Sequence, residues 1–111
     1  MKLLKSTTKP LRLKPSLSFE KAVISYFVFK SKNLKDIEHA KSIIDRINGE
    51  LKEIQINKKH FSQKVHYRNS KNLQRFIIEK HTIFFRIDLQ KEELQVMYFV
   101  PSKRVKKKLT K

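Results

Sequence analysis

Arg75 to Asp88 reads RFIIEKHTIFFRID, and the reading of this stretch decides the fold. Phe76-Ile77-Ile78 and Thr82-Ile83-Phe84-Phe85-Arg86-Ile87 are dense in β-branched and aromatic residues, which fit a pleated, half-buried surface. Glu79-Lys80 leaves room only for a tight turn, so the two runs (75–78 and 81–87) predict an antiparallel hairpin. A charged turn from Asp88 to Glu93 leads into Leu94-Gln95-Val96-Met97-Tyr98-Phe99-Val100, a third strand that Pro101 ends. Short separations make the three strands an antiparallel meander.

Upstream the period changes. Leu11-Arg12-Leu13-Lys14 alternates apolar and basic residues and reads as a short first strand closed by Pro15. Ser16 or Ser18 can cap a helix carrying Phe19, Ala22, Val23, Tyr26 and Phe27, although Val-Ile-x-Tyr-Phe-Val-Phe also has strand propensity. Asn33 is a good cap for a second helix with Asp36 in its first turn. There Ile37, Ala40, Ile44, Ile47, Leu51 and Ile54 recur at steps of three and four, an apolar stripe about five turns long. Gly49 lies inside it at a cost of about 1 kcal/mol relative to Ala. The expected class is α+β: a short N-terminal strand, an antiparallel helical hairpin and a three-stranded antiparallel meander, with the helices on one face. Residues 1–100 make one domain, and 101–111 a basic tail.

Charge is sorted along the chain. Lys and Arg number 27 against 10 Asp and Glu, a net charge of +17. Glu20 to Ile56 nearly cancels, with six acids and seven bases. Asn57 to Ile78 then holds Lys58, Lys59, Lys64, Arg68, Lys71 and Arg75 with no acid. Pro101 to Lys111 holds Lys103, Arg104, Lys106, Lys107, Lys108 and Lys111, again with none. Two uncompensated basic segments on a folded body point to a polyanion, nucleic acid before others. Lys58, Lys59, Lys64, Arg68, Lys71, Lys103, Lys106, Lys107 and Lys108 are the expected phosphate contacts.

Other chemistry is poorly served. The absence of Cys excludes disulfides and thiolate metal sites, and fits a reducing cytoplasm. No apolar run approaches the roughly 20 residues of a membrane span, so a soluble cytoplasmic protein without a membrane partner is expected. There is no Walker loop, no GxGxxG and no Cys/His metal spacing, so neither a cofactor nor a metal is expected. What remains is cationic. Arg75, Arg86 and Arg104, with His81 and Tyr98 nearby, form the candidate catalytic set if they meet at one edge of the meander. Such a cluster would hold a phosphodiester and stabilise the extra charge of a pentavalent phosphorane. RNA supplies its own nucleophile, the 2′-hydroxyl. The plainer reading of strand arginines is solvated edge charge that deters aggregation.

The order of elements, the core from Arg75 to Asp88 and the ending LQVMYFVPSKR together resemble the RelE/ParE superfamily of bacterial type II toxin–antitoxin toxins. The opening Leu11 to Ala22 is similar to that family's first strand and helix start. The resemblance implies one of two activities: ribosome-dependent mRNA cleavage, as in RelE-like members, or inhibition of DNA gyrase, as in ParE-like members. A basic nucleic-acid-binding module without toxicity is the third reading. On the family pattern Arg75 falls where RelE-like toxins carry a catalytic Lys, and Arg104 matches an Arg that follows the last strand. Two departures stand out. Thr82 replaces an Arg commonly found before the central strand, and no Tyr or His follows Arg104, which leaves His81 and Tyr98 as the stand-ins for proton transfer. The resemblance also implies a small acidic antitoxin as partner, and a charge of +17 independently asks for one.

Overall fold

The computed structural model describes residues 9–108, with side chains through Val105. Strand β1 (Arg12–Pro15) enters the sheet, and Ser16 then turns the chain into helix α1 (Leu17–Lys30). The Ser16 hydroxyl accepts from the Phe19 amide at 3.0 Å and donates to the Met97 carbonyl at 2.6 Å, so one residue caps the helix and pins it to the sheet. Helix α2 (Leu34–Asn57) begins at Asn33, whose side chain accepts from the Lys35 amide at 2.9 Å. It ends where Lys58 adopts a left-handed backbone and bonds back to Ile54.

Strands β2 (Val65–Tyr67), β3 (Ser70–Ile78), β4 (His81–Asp88) and β5 (Glu93–Pro101) follow, then a short helix α3 (Ser102–Lys108). Mixed α+β is the outcome, but the sheet has five strands in the order β1-β5-β4-β3-β2 rather than a bare meander. The expected meander is its centre. β1 lies parallel to β5 at one edge, with Arg12 opposite Glu93. β2 pairs with β3 at the other, in a hairpin the sequence did not announce. Its two-residue turn is Arg68-Asn69, with Arg68 at φ 56°, where sequence rules look for Asn-Gly or Asp-Gly.

Helices α1 and α2 cover one face. Ile43, Ile47, Leu51 and Ile54 of α2 pack on Phe76, Ile78, Ile83, Phe85, Leu94 and Val96, joined from α1 by Phe19, Ala22, Val23 and Tyr26. Ala40, Ile47, Leu51 and Ile54 of the expected stripe are buried, while Ile43 is buried in place of Ile44, which is only half-buried. α1 buries no residue completely and leaves Leu17, Ile24, Val28 and Phe29 exposed. The opposite face is not covered by α1 or α2. It holds a smaller core of Val65, Tyr67, Leu73, Phe84 and Val100, closed at one end by Val105 of α3. The segment read as a basic tail therefore starts with a packed helical turn.

Apart from its chain neighbours and the helix's own adjacent backbone, no described atom lies within 4 Å of where a Cβ on Gly49 would stand, in α2. Gly49→Ala is therefore expected to stabilise the fold by about 1 kcal/mol through helix propensity and a less flexible unfolded chain. Urea unfolding followed by circular dichroism measures it.

Candidate nucleic-acid interface

Strand alternation decides which candidate side chains meet. Phe84 belongs to the small core on the open face, and it pairs across the sheet with Arg75 on β3 and Tyr98 on β5. Cross-strand partners share a face, so Arg75, Phe84 and Tyr98 form one row over three strands. Tyr67 stacks flat on Phe84, with centroids 4.4 Å apart and planes 9° apart, and meets Tyr98 edge-on at 5.5 Å. Above these rings stands Arg68, its guanidinium carbon 5.3 Å from the Tyr67 centroid and 5.0 Å from that of Tyr98. The Tyr98 hydroxyl is 2.9 Å from Ser70 Oγ. The result is a buried aromatic pair, Tyr67 and Phe84, beside a half-buried Tyr98 that carries Arg68, on a sheet face where α3 supplies the helical cover.

A polar chain crosses the same face nearer the β4–β5 turn. Arg86 Nε donates to Gln95 Oε1 at 3.0 Å, Gln95 Nε2 donates to Glu93 Oε1 at 3.1 Å, and Arg12 Nη2 donates to Glu93 Oε2 at 3.3 Å. Arg86 Nη1 also reaches the Lys71 carbonyl at 3.4 Å. Arg86 is thus oriented by its neighbours, which lowers the entropy lost when it grips an anion. It also lines a cleft of about 650 Å³ with Lys58, Lys59 and Lys64, against a single carboxylate, Asp88, among the described residues. Three lysines of the first basic segment therefore converge, and Arg86 joins their cleft to the open face.

The remaining candidates divide. Lys71 and Arg104 are exposed, and Arg104 precedes the Val105 anchor on α3. Lys103 lines a different pocket with Lys80, His81 and Ser102. The side chains of Lys106, Lys107 and Lys108 lie outside the described residues. His81 does not join the set. It sits on the helix-covered face, stacked on Phe99 at 4.8 Å and 6° and edge-on to Tyr26 at 4.7 Å. The cause is parity: in β4, odd residues face the helices, and Phe84 and Arg86 face the other way.

Two buried polar atoms have no hydrogen-bond partner here, Arg75 Nη1 in the row and Oη of Tyr67, the ring stacked on Phe84. Sequence reasoning missed Tyr67, Ser70 and the Gln95–Glu93–Arg12 relay. The signal for Tyr67 was the Val65-x-Tyr67 alternation beside a turn. The relay has none, because it exists only once β1 is laid against β5.

His81 is held below its ordinary value of 6.5, chiefly by burial and then by the Lys30 ammonium. His60 is held below it by burial, against the pull of Glu50. In the unfolded chain both take protons near pH 6.5, and in the fold only at lower pH. The unfolded state then binds more protons below about pH 6.5, so stability is complete above that value and falls as pH drops through the window. Urea midpoints measured from about pH 7.5 down to about pH 5.5 should decline. The decline should be shallower in His81→Phe, which keeps a ring against Phe99.

Among the described residues no helix is long and apolar enough to cross a membrane, and no group of three or more His, Asp or Glu is placed to hold a metal ion. Comparison of the chain with family models, with curated proteins and with solved structures yields no match.

Proposed function

We propose that this chain is a toxin of the RelE/ParE kind that acts on single-stranded RNA through the open face of its sheet. The observation that carries the reading is the Arg75–Phe84–Tyr98 row with Arg68 above it and Arg86 beside it. A half-buried Tyr98 with the Arg68 guanidinium against it, and Arg75 and Arg86 on the same face, suits a strand whose bases are unstacked and whose phosphates need neutralising. Support also comes from the order of elements, strand, two helices and meander, which agrees with the resemblance. In the cleavage reaction the RNA 2′-oxygen loses its proton to water and attacks the adjacent phosphorus as the P–O5′ bond breaks, leaving a 2′,3′-cyclic phosphate and a 5′-oxygen that takes up a proton, while Arg75 and Arg86 stabilise the charge that gathers on the phosphorane oxygens. With His81 on the covered face, proton transfer falls to the Tyr98 hydroxyl.

Pulse labelling after expression in a test bacterium decides the activity. Translation stops first for an mRNA endonuclease, and ribosome-bound message shows cuts that Tyr98→Phe lowers by about 10²–10⁴-fold, the usual worth of general acid–base catalysis. One observation favours the gyrase reading: the imidazole is withdrawn from the cationic face. Under that reading replication stops first and message stays whole. An acidic antitoxin is the partner either reading asks for.

A further inference from the structure

Large apolar side chains stand uncovered where α1 gives way to α2. Val28 is 60% exposed, Phe29 67% and Leu34 80%, and Ile24, one turn behind Val28 on α1, is 61% exposed. At 100° per residue Ile24 and Val28 fall on the side of α1 opposite Phe19, Ala22, Val23 and Tyr26, which pack toward the sheet. Apolar residues on both sides of a helix mark one that is covered on both. Charge is sorted here too. From Ile24 to Lys35 the chain holds Lys30, Lys32 and Lys35 and no acid. Lys30 Nζ and Lys32 Nζ stand 6.0 and 5.9 Å from the centroid of the Phe29 ring, so two ammonium groups share one aromatic ring. The turn also satisfies its own backbone. The Val28 carbonyl accepts from the Ser31 amide at 3.2 Å and from Ser31 Oγ at 2.7 Å, the Lys30 carbonyl accepts from the Asn33 amide at 3.4 Å, and Asn33 Oδ1 accepts from the Lys35 amide. Backbone groups paired in this way leave water without being stranded.

We propose that this turn docks on the surface of an anionic phospholipid bilayer: Val28, Phe29 and Leu34 enter the boundary between headgroups and acyl chains, and Lys30, Lys32 and Lys35 meet the phosphates. The chain offers no span, but lying on a membrane asks only for an apolar patch with a basic rim, not for the roughly 20 apolar residues of a crossing. That rim and the charge of +17 select an anionic leaflet. Two other occupants fit less well. Ile24, Val28 and Leu34 have no π-face on which a base could stack, so a nucleic acid would leave them bare. A second copy related by a two-fold axis sets the patch against itself, lysines facing lysines, and joins two bodies of +17. None of these residues belongs to the Arg75–Phe84–Tyr98 row or to the lysine cleft, so the membrane site stands or falls apart from RNA binding.

The test is co-sedimentation of the whole chain with phosphatidylcholine vesicles, with and without phosphatidylglycerol. Basic segments elsewhere also attract an anionic surface, so the deciding variants keep the charge. Val28→Gln, Phe29→Gln and Leu34→Gln together should weaken partition into the anionic vesicles by about tenfold or more, the effect of withdrawing one large side chain from an apolar phase. Glutamine is a better helix former than valine or phenylalanine, so the fold is kept. Phe61→Gln, at a ring 96% exposed beside the other end of α2, should change nothing. Lys30→Gln, Lys32→Gln and Lys35→Gln together should weaken partition by about fivefold per lysine. The chain has no Trp, so Phe29→Trp and Phe61→Trp each place a single reporter. Emission from Phe29→Trp should shift to the blue on anionic vesicles and be quenched by brominated acyl chains, while that from Phe61→Trp should not. Unchanged partition of the charge-neutral triple variant, or equal quenching of the two reporters, overturns the proposal. So does a wild-type dimer, seen by sedimentation equilibrium without lipid, that the same triple variant loses, because the patch then belongs to a second copy.

Discussion

Phe84→Ala is expected to lower the stability of the fold by about 3–5 kcal/mol, the usual range for emptying a buried aromatic site. The ring has no solvent exposure and is held on two sides, flat against Tyr67 and edge-on to Tyr98 at 6.3 Å. It belongs to the smaller of the two cores, where Val65, Leu73, Val100 and Val105 are the other apolar members and α3 alone supplies a lid. Little is available to collapse into the space. A domain of this size is stable by about 5–15 kcal/mol, and the self-repulsion of +17 charges reduces that. The variant should therefore be largely unfolded at low salt and regain structure as salt screens the charge. Urea and thermal unfolding at two ionic strengths measure both effects. Phe61→Ala is the control: the ring is 96% exposed, and its loss should be nearly silent in stability. A Phe84→Ala loss under about 1 kcal/mol would show that the open-face core is not a packed core.

The elements that were legible in the sequence share one property: their signal is local. Ser16 and Asn33 cap the helices as their side chains allow, and Pro15 and Pro101 stand at the last positions of β1 and β5. The hairpin turn at Glu79-Lys80 was fixed by spacing alone. What was not legible depended on residues far apart. β2 is three residues long, and its turn uses Arg68 in a left-handed backbone that costs an L-residue about 1–2 kcal/mol. Asn69 is a turn former, but Arg68, at the position that takes positive φ, gives no sign of it. With one Gly in the chain, Lys58, Arg68, Asn72, Glu79 and Glu92 all take positive φ where glycine is the usual occupant. The choice of Ile43 over Ile44 within the α2 stripe has a similar origin, since both satisfy the period and only packing against the sheet chooses.

The candidate site divides along the same line. Arg75, Arg86 and Tyr98 share a face because their strand parity and register put them there, and adjacent strands with short turns allow that to be read. His81 was misplaced because it stands at the first position of β4, where a count from Phe84 gives the covered face but nearness in sequence suggests the shared edge. Arg68 drew notice as one charge in a basic run. Its place over two tyrosine rings required the β2–β3 hairpin to be known.

Single-stranded RNA should bind with a strong salt dependence, and the two halves of the interface should separate in how they respond. Neutralising Lys58, Lys59, Lys64 and Arg86 together removes four cations that converge on one cleft. If each meets a phosphate, the slope of log affinity against log salt becomes shallower by about three, at roughly 0.7 per single-strand contact. That corresponds to about a 50-fold smaller loss of affinity between 50 and 200 mM salt, with binding at low salt already weakened. Tyr98→Ala acts differently. A stacking platform carries no charge, so affinity should fall by about 1–3 kcal/mol at every salt concentration with the slope unchanged. Arg68→Gly should do both in part: one cation leaves the slope, the cap over Tyr98 is lost, and the backbone at φ 56° relaxes, so that stability rises while binding falls. Fluorescence anisotropy with a labelled oligonucleotide, titrated at four or more salt concentrations, measures slope and intercept together. A quadruple variant with an unaltered slope would remove the cleft from the interface. A Tyr98→Ala variant of unaltered affinity would reduce the open face to a structural floor, because the Arg75–Phe84–Tyr98 row has no other means of telling an unstacked strand from any polyanion.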